Sequence, residues 1–199
     1  NVYPLTLLLG IKESLFYENP KTLDTIKRGL VYACRIQHSN GSFDQAFPYE
    51  QSFGATAFLL HSLLGSYQKL GSELSLQEKK GITDCLERAS SFLCRETEKH
   101  GFISNHIAGA SLALLEAGRY FDRTEFKVCS DRLLDRVIKN QSEEGWFMEY
   151  AGADPGYQTL CLQYLAEING LKPSTVLEKS LHRALEFIQW FVFKLYGRI

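Results

Sequence analysis

The feature that most constrains the fold of this chain is a pattern that occurs three times along it. In each unit an amphipathic helical segment ends at a glycine, a short loop with aromatic residues follows, and a segment of small and apolar residues comes next. The three glycines are Gly41, Gly101 and Gly145. Self-similarity of this kind is typical of stacked helical pairs. No segment shows the apolar–polar alternation that marks a half-buried strand.

Apolar residues recur at helical spacing over most of the chain and predict a series of helices. The expected ranges are about 5–17, 20–37, 51–70, 76–97, 105–118, 123–139, 157–170 and 173–195. Ser75, followed by Glu78 three residues on, has the spacing of a capping box at the start of one helix. No apolar run reaches the roughly 18 residues that a transmembrane helix needs.

The two types of helix predict two layers. The amphipathic helices have one polar face and are expected outside. The helices that follow the loops are rich in Ala, Gly and Ser, which permit close approach on several sides, and are expected inside. Such pairs build either a solenoid or an α/α toroid. We predict an all-α fold without a β-sheet, a partial α/α toroid of about three to four helical hairpins, as one domain over residues 1–199.

In this architecture the loops from outer to inner helices emerge at one end. The N-termini of the inner helices point to the same end and carry partial positive charge. We therefore expect the loops and the first turns of the inner helices to surround one concave mouth. The residues expected there are Phe43, Asp44, Tyr49, Glu50, Asn105, His106, Trp146, Glu149, Tyr150, Asp154 and Tyr157.

Two glutamines have the same position relative to a loop glycine. Gln37 and Gln141 each stand four residues before the glycine, and an aromatic residue follows the glycine at once or after one residue. A Gln side chain has donors and an acceptor that can tie the end of a helix to the following loop. The pattern resembles the repeated QW motif of terpene cyclases. The chain has no Asp-rich diphosphate-binding motif, so we interpret the pattern as structural.

Three polar residues at the starts of inner helices have two interpretations each. Asn105 can be an N-cap followed by His106 in the first turn. Alternatively, the amide and the imidazole form a donor pair that neutralises a substrate carboxylate. Tyr157 is either a packing residue or a proton donor and acceptor, a role that requires a pKa below the usual value of about 10.

Two stretches resemble the helical domain of heparinase II/III-like proteins. They are residues 104–114, which begin Ser-Asn-His, and residues 145–160, which contain Gly-Trp-Phe-Met-Glu-Tyr. The resemblance covers residues 30–170 and implies an α/α toroid followed by β-sandwich domains. It implies cleavage of uronic-acid polysaccharides by β-elimination, with Asn105 and His106 neutralising the C5 carboxylate. Tyr157 would then take the C5 proton or protonate the leaving oxygen.

The same resemblance sets expectations about what accompanies this chain. We expect residues 1–199 to be a piece of a longer protein, because the first residue is not Met and no β-sandwich is present. The piece would pack on that β-sandwich or on further helical pairs, and alone it would be inactive. No cofactor or metal is expected in this segment, and any metal would belong to the missing domain.

Two other functions fit the expected mouth. Residues 39–68 and 141–171 contain no Lys or Arg, so the mouth is acidic and aromatic. This favours a glycoside hydrolase for neutral glycans, with Asp44 and either Glu149 or Asp154 as the paired carboxylates. Each of these carboxylates can instead be a helix cap or a solvated loop charge. A non-catalytic glycan-binding or assembly module is the remaining alternative.

Charge and cysteine usage limit the partners and the compartment. The formal net charge of −1 gives no overall attraction to nucleic acid or to an anionic membrane. The five cysteines include no Cys-x-x-Cys pair, so we expect buried free thiols rather than a zinc site or disulfides. With no signal-peptide pattern, cytoplasm is the default prediction, and a secreted or periplasmic parent stays open. The expected partner is a poly- or oligosaccharide.

Overall fold

The computed structural model describes residues 2–192. Within this range the chain forms eight α-helices, one 3₁₀ turn at Gly71–Glu73 and two short strands. The helices are α1 Tyr3–Leu9, α2 Pro20–Ile36, α3 Phe53–Leu70, α4 Leu76–Arg95, α5 Ser104–Tyr120, α6 Thr124–Lys139, α7 Pro155–Leu171 and α8 Thr175–Gln189. The strands are β1 Phe102–Ile103 and β2 Glu149–Tyr150. The all-α prediction is confirmed.

The helices form two layers, as the two helix types predict. In the inner layer α1 contacts α3, α3 contacts α5, and α5 contacts α7. In the outer layer α2 contacts α4 and α4 contacts α6, while α8 packs on α7. Burial follows the same division, because 13 of the 17 residues of α5 are buried but only four of the 17 in α2. The closure of such helices into a toroid stays a prediction.

Glycines allow the inner helices to approach one another closely. A Cβ atom at Gly109 of α5 would lie 2.9 Å from the ring of Phe58 in α3 and 3.2 Å from the ring of Tyr164 in α7. At Gly54 of α3 it would collide with the imidazole of His106. The small residues therefore leave room for aromatic side chains between neighbouring inner helices.

One predicted helix is shorter in the structure. The expected helix over residues 5–17 ends at Leu9, and turns follow it from Gly10. Leu15 is 94% exposed and Phe16 is 40% exposed. These residues have no core to pack against, and packing of an apolar face is what stabilises most helices in proteins. At the other end α8 stops at Gln189, and the predicted extension over residues 193–195 lies outside the described residues.

The prediction of a fold without a β-sheet misses one small feature. Strands β1 and β2 pair antiparallel, with Phe102 opposite Tyr150 and Ile103 opposite Glu149. Two-residue strands are too short to show an alternating pattern in the sequence. The pair joins the loop before α5 to the loop before α7.

Gln37 ties three parts of the chain together. Its Nε2 donates to the carbonyl of Gly41 at 3.0 Å and to the carbonyl of Cys85 in α4 at 2.9 Å. Its Oε1 accepts a hydrogen bond from Arg88 of α4. The end of α2, the following loop and the next outer helix are thus held by one side chain.

Gln141 repeats this arrangement at the end of α6. Its Nε2 donates to the carbonyl of Gly145 at 2.9 Å and to the carbonyl of Ser180 in α8 at 2.9 Å. Its Oε1 accepts from Ser180 Oγ at 2.8 Å and from Arg183. Gln37 and Gln141 therefore both bond to a loop glycine carbonyl, to a carbonyl of the next outer helix and to an arginine of that helix. The loops that they hold differ in sequence.

The loop glycine bonded by each glutamine has a backbone conformation that other residues rarely adopt. Gly41 has a φ of +97° and Gly145 a φ of +98°. A Cβ atom at either position would collide with a backbone carbonyl, that of Arg88 or of Arg183. These collisions are with backbone, which cannot move aside as a flexible side chain can.

Two further properties follow from the described part of the chain. All five cysteines are free thiols, either buried or half-buried. In residues 2–192 no helix combines the length and the apolar composition that crossing a bilayer requires.

We predict that Gly41→Ala destabilises the protein by about 2 kcal/mol or more, because an alanine must take up a positive φ and its Cβ meets the Arg88 carbonyl. Urea unfolding followed by circular dichroism measures the change. The matched control is Gly81→Ala in α4, where a Cβ meets nothing within 4 Å. That control should raise stability by about 0.5–1 kcal/mol, since alanine favours a helix interior. Equal effects of both substitutions would contradict the prediction.

Candidate functional site

The loops before the three inner helices α3, α5 and α7 meet at one end of the inner layer. We call this end the mouth, formed by loop 37–52, loop 96–103, loop 140–154 and the first turns of α3, α5 and α7. The pairing of β1 with β2 joins the second and third loops. The contact of the His106 ring with Gly54 brings the starts of α3 and α5 together.

Asn105 is held by a buried carboxylate from the third loop. Its backbone N–H donates to Glu149 Oε1 at 2.9 Å, and its side-chain Nδ2 donates to Oε2 of the same carboxylate at 2.8 Å. Asn105 is 1% exposed and Glu149 4% exposed. Because α5 begins at Ser104, Asn105 lies within the helix, and its alternative interpretation as an N-cap is wrong.

Burial raises the pKa of Glu149, against the two hydrogen bonds from Asn105 and the charge of His106, which lower it. The charge of Asp154 raises it further. Asn105, His106 and Asp154 therefore act on one carboxylate, which places the starts of α5 and α7 within electrostatic reach of each other.

His106 is oriented by a second carboxylate, Glu98. The imidazole Nδ1 lies 2.6 Å from Glu98 Oε2, and the other oxygen, Oε1, lies 3.0 Å from Nδ1 of His100. The backbone amides of Lys99 and His100 also donate to Oε1, at 2.9 and 3.0 Å. The side chain of Glu98 is 1% exposed. The Glu98 carboxylate thus binds two histidines and two backbone amides of its own loop.

Burial alone would raise the pKa of Glu98, but the hydrogen bonds from His106 and His100 outweigh it and lower the pKa to about 2. Glu98 is therefore ionised at neutral pH and must accept a hydrogen, so the proton of a neutral His106 stands on Nδ1. This leaves Nε2 of His106 for a ligand. The imidazole ring of His106 packs edge-on against the ring of Phe58, with centroids 5.4 Å apart. The His106 side chain is 15% exposed.

Glu98 is a residue of this site that the sequence analysis did not predict. It stands in the loop before α5, where an acidic residue next to Lys99 and His100 looks like a solvated charge. The one local signal is its position two residues before His100, which allows the carboxylate to accept the His100 amide. Its contact with His106 depends on the path of the loop into α5.

Tyr157 lies in the first turn of α7, as predicted. Its backbone N–H donates to Oδ1 of Asp154 at 2.9 Å, so Asp154 is the N-cap of α7. The side chain of Tyr157 is half-exposed at 44%. Burial and then the charge of Glu149 raise the pKa of Cys161, one turn further along α7. Tyr157 thus belongs to the same end of the inner layer as Asn105 and His106.

The carboxylates of the first loop hold that loop together. Asp44 accepts from His38 at 2.8 Å and from the amides of Tyr49 and Gln51, each at 2.9 Å. The Gln51 amide and then His38 lower the pKa of Asp44. Glu50 accepts from three amides of residues 45–47. Both acids therefore bond within the loop. For Asp44 this agrees with its alternative interpretation as a loop charge, and the substrate contact expected of Glu50 stays a prediction.

The aromatic residues of the mouth divide into buried and exposed ones. Phe43 is 1% exposed and packs in the core, so a ligand cannot reach the side chain that was expected to contact it. Trp146 is half-buried and donates from Nε1 to Glu144 at 2.9 Å. Tyr49 and Tyr150 are exposed and have positive φ angles of 63° and 59°. Left-handed backbone at bulky residues is uncommon and concentrates at functional sites.

A separate cavity of about 830 Å³ lies between α1 and the end of α3. Leu9, Tyr17 and Leu70 are among the residues that line it, and it contains none of the residues expected at the mouth.

We predict that the free energy of unfolding falls by about 3 kcal/mol through Glu98 alone as the pH drops from about 4.5 to about 2. The sign follows from a folded pKa below the ordinary value of 4.5, so the stabilisation is present above pH 4.5 and lost on acidification. Urea unfolding at a series of pH values measures it. Glu98→Gln should be less stable at pH 7 and should lack this fall.

The control for that experiment is Glu96→Gln. The side chain of Glu96 is 39% exposed, and its ion pair with Lys99 is at the surface. This variant should keep the wild-type dependence on pH. A Glu98→Gln variant that loses stability with acid as steeply as the wild type would contradict the assignment.

Comparison with known protein families identifies the family of this chain. The family described as Ulvan lyase N-terminal domain matches residues 1–159, a range that includes the three loops, Asn105, His106 and Tyr157. No curated protein matches the chain. The predicted class, polysaccharide lyases, is confirmed, but the match does not support the heparinase II/III-like family in particular. The chain belongs to the Ulvan lyase N-terminal domain family, a family of polysaccharide lyase domains.

Proposed function

We propose that this chain is the helical domain of a lyase that cleaves ulvan, or a related uronic-acid polysaccharide, by β-elimination at the mouth. The observation that carries the proposal is that Asn105 and His106, adjacent at the start of α5, are each held by a different buried carboxylate. Burying two carboxyl groups to orient two polar side chains costs desolvation free energy. A site whose geometry matters for chemistry repays that cost.

The first task in β-elimination is to make the C5 proton of the uronic acid acidic. Neutralising the adjacent carboxylate does this, because the negative charge that develops in the transition state then has donors to receive it. Asn105 Nδ2 carries two hydrogens and gives one to Glu149. The side chain is 1% exposed, so a substrate carboxylate meets the other hydrogen only once the loops of the mouth have opened around it. Nε2 of His106 is the second donor when the imidazole is protonated.

The second task is proton transfer at C5 and at the leaving oxygen. The electrons of the C5–H bond form a C4–C5 double bond, and the C4–O bond breaks. Tyr157 as the phenolate takes the C5 proton and then, as the phenol, gives it to the leaving oxygen, or it makes one of these two transfers while solvent water accepts or supplies the other proton. Either role needs its phenolic oxygen. Its half-exposed position in the first turn of α7 supports this role, since a substrate can reach the side chain.

Glu98 and Glu149 act as positioning residues in this proposal. Glu149 fixes the Asn105 amide through the backbone and the side chain at once. Glu98 fixes the tautomer and the ring direction of His106, as a carboxylate does for a catalytic histidine in other enzymes. Neither would touch the substrate.

The geometry of the acidic residues does not favour the glycoside hydrolase alternative. Asp44 is used by the first loop, Glu149 by Asn105, and Asp154 by the N-terminus of α7. A hydrolase needs two carboxyl groups that face the scissile bond. The same hydrogen bonds reduce the negative potential of the mouth, because amide and imidazole donors surround these carboxylates. Repulsion of a polyanionic substrate is reduced accordingly.

We predict that Tyr157→Phe in the full-length protein lowers kcat for elimination by at least about 10²-fold, because only the transferable proton is removed. The change is followed as the absorbance of the unsaturated product from ulvan. The ring and the backbone cap at Asp154 stay in place, so thermal stability should not change. Tyr32→Phe, an exposed tyrosine of the outer helix α2 away from the mouth, is the matched control and should keep wild-type turnover.

Three outcomes decide between the functions. Normal elimination by Tyr157→Phe would exclude the role given to this hydroxyl. New reducing ends without a double bond would identify a hydrolase instead. Saturable glycan binding by calorimetry with no turnover in the full-length protein would identify a binding module.

A further inference from the structure

A second group of polar residues lies on the inner layer, away from the mouth. His61 of α3, Glu116 of α5 and Glu167 of α7 come from three neighbouring helices, and one ligand-type atom of each lies within 4.8 Å of the others. All three side chains are half-buried. Nothing in the β-elimination proposal uses them, and the inference drawn from them does not rest on that proposal.

The contacts within this group satisfy only part of its charge. Nδ1 of His61 lies 2.7 Å from Oε2 of Glu116. Glu167 accepts a hydrogen bond from the neutral amide of Gln163 at 3.1 Å. In residues 2–192 the only ion pair of these two glutamates is the one between Glu116 and His61. Two carboxylates thus converge with at most one positive charge, and that charge depends on protonation of an imidazole.

The position of both carboxylates on their helices adds to the negative potential. Glu116 stands four residues before the end of α5 at Tyr120, and Glu167 four residues before the end of α7 at Leu171. The C-terminal end of a helix carries partial negative charge, so an acidic residue there is unfavourable unless a cation compensates it. Two adjacent inner helices share this placement at the same place in the fold.

Neighbouring groups respond to this potential. Burial, and then the charge of Glu167, raise the pKa of Tyr164 to about 12. Burial, followed by the charges of Glu116 and Glu167, raises the pKa of Tyr3. Burial alone would lower the pKa of His61, but its bond to Glu116 and the charge of Glu167 raise it. For both tyrosines burial is the larger cause and acts in the same direction as the glutamates, whereas for His61 the glutamates act against burial.

We propose that His61, Glu116 and Glu167 form a binding site for a divalent first-row transition ion such as Zn²⁺. One imidazole nitrogen and two carboxylate oxygens are ligands that Zn²⁺ accepts, and three protein ligands leave a coordination position for water or another ligand. Ca²⁺ and Mg²⁺ prefer oxygen ligands alone, so the histidine favours the transition ion. On binding, any proton on the ligating nitrogen of His61 passes to solvent, and the metal replaces it between His61 and Glu116.

This site is distinct from the mouth. Glu116 lies twelve residues after Ser104 in α5, which at 1.5 Å per residue is about 18 Å along the helix. The metal would join α3, α5 and α7 near the far ends of α5 and α7. No motif in the sequence indicates this site, and the resemblance predicts a metal only in a missing domain.

The test is calorimetric titration of the purified, metal-stripped protein with ZnCl₂. We expect saturable binding with one Zn²⁺ per chain at this site and a higher Tm in its presence, because a ligand of the folded state stabilises it. Glu167→Gln should weaken binding at least about tenfold, since it replaces one anionic ligand while keeping size and the contact with Gln163. His61→Ala should weaken it further, and circular dichroism checks that both variants are folded.

Two controls exclude other sites. Glu186→Gln changes an exposed glutamate on α8 and should leave the affinity unchanged. His100→Ala removes one histidine of the Glu98 group, the other place where imidazoles and a carboxylate meet, and should also leave it unchanged. Absence of saturable binding, or equal affinity in the wild type and Glu167→Gln, would show that His61 and Glu116 are an ion pair without a metal. Co²⁺ absorption bands lost on His61→Ala would confirm the nitrogen ligand.

Discussion

The structure depends on the bond network in which a glutamine side chain holds the corner between an outer helix and an inner one. Gln37 and Gln141 each bond to their loop glycine and to the next outer helix, so the loop cannot leave the layer that supports it. Phe43 and Phe147, just beyond these glycines, are buried in the core and anchor the same corners. The remaining corner, between α4 and α5 at Gly101, has no such glutamine. It is held instead by the pairing of β1 with β2 and by Glu98.

Buried carboxylates do the positioning at the mouth. Glu98 and Glu149 both lie before helix starts and are both buried. Glu149 directs both of its oxygens, and Glu98 one of its oxygens, at the first turn of α5. Their environments differ, because histidines favour the charged form of Glu98 while burial works against that of Glu149. Asn105 and His106 therefore have fixed orientations in the absence of a ligand, as the proposed elimination would require of them.

Negative charge on the inner layer is arranged at two depths. At the mouth, amides and imidazoles surround the carboxylates of the loops. Further along α5 and α7, Glu116 and Glu167 share one histidine and the negative ends of two helices. The chain as a whole is nearly neutral, so these local arrangements rather than net charge decide what the inner surface attracts. A cation bound there would offset the negative potential of these two glutamates.

The sequence by itself determined the helical class, the two layers and the end at which the loops gather. Helical spacing, stop glycines and small-residue segments are local signals, so the starts of α5 and α7 and the place of Tyr157 could be predicted from them. The tertiary structure decided everything that depends on partners distant in sequence. Glu98 meets His106 through the path of a loop, Glu149 meets Asn105 across 44 residues, and His61 meets Glu116 across 55. Such contacts leave no periodic trace in the chain, because only the packing of neighbouring helices brings these side chains to the same place.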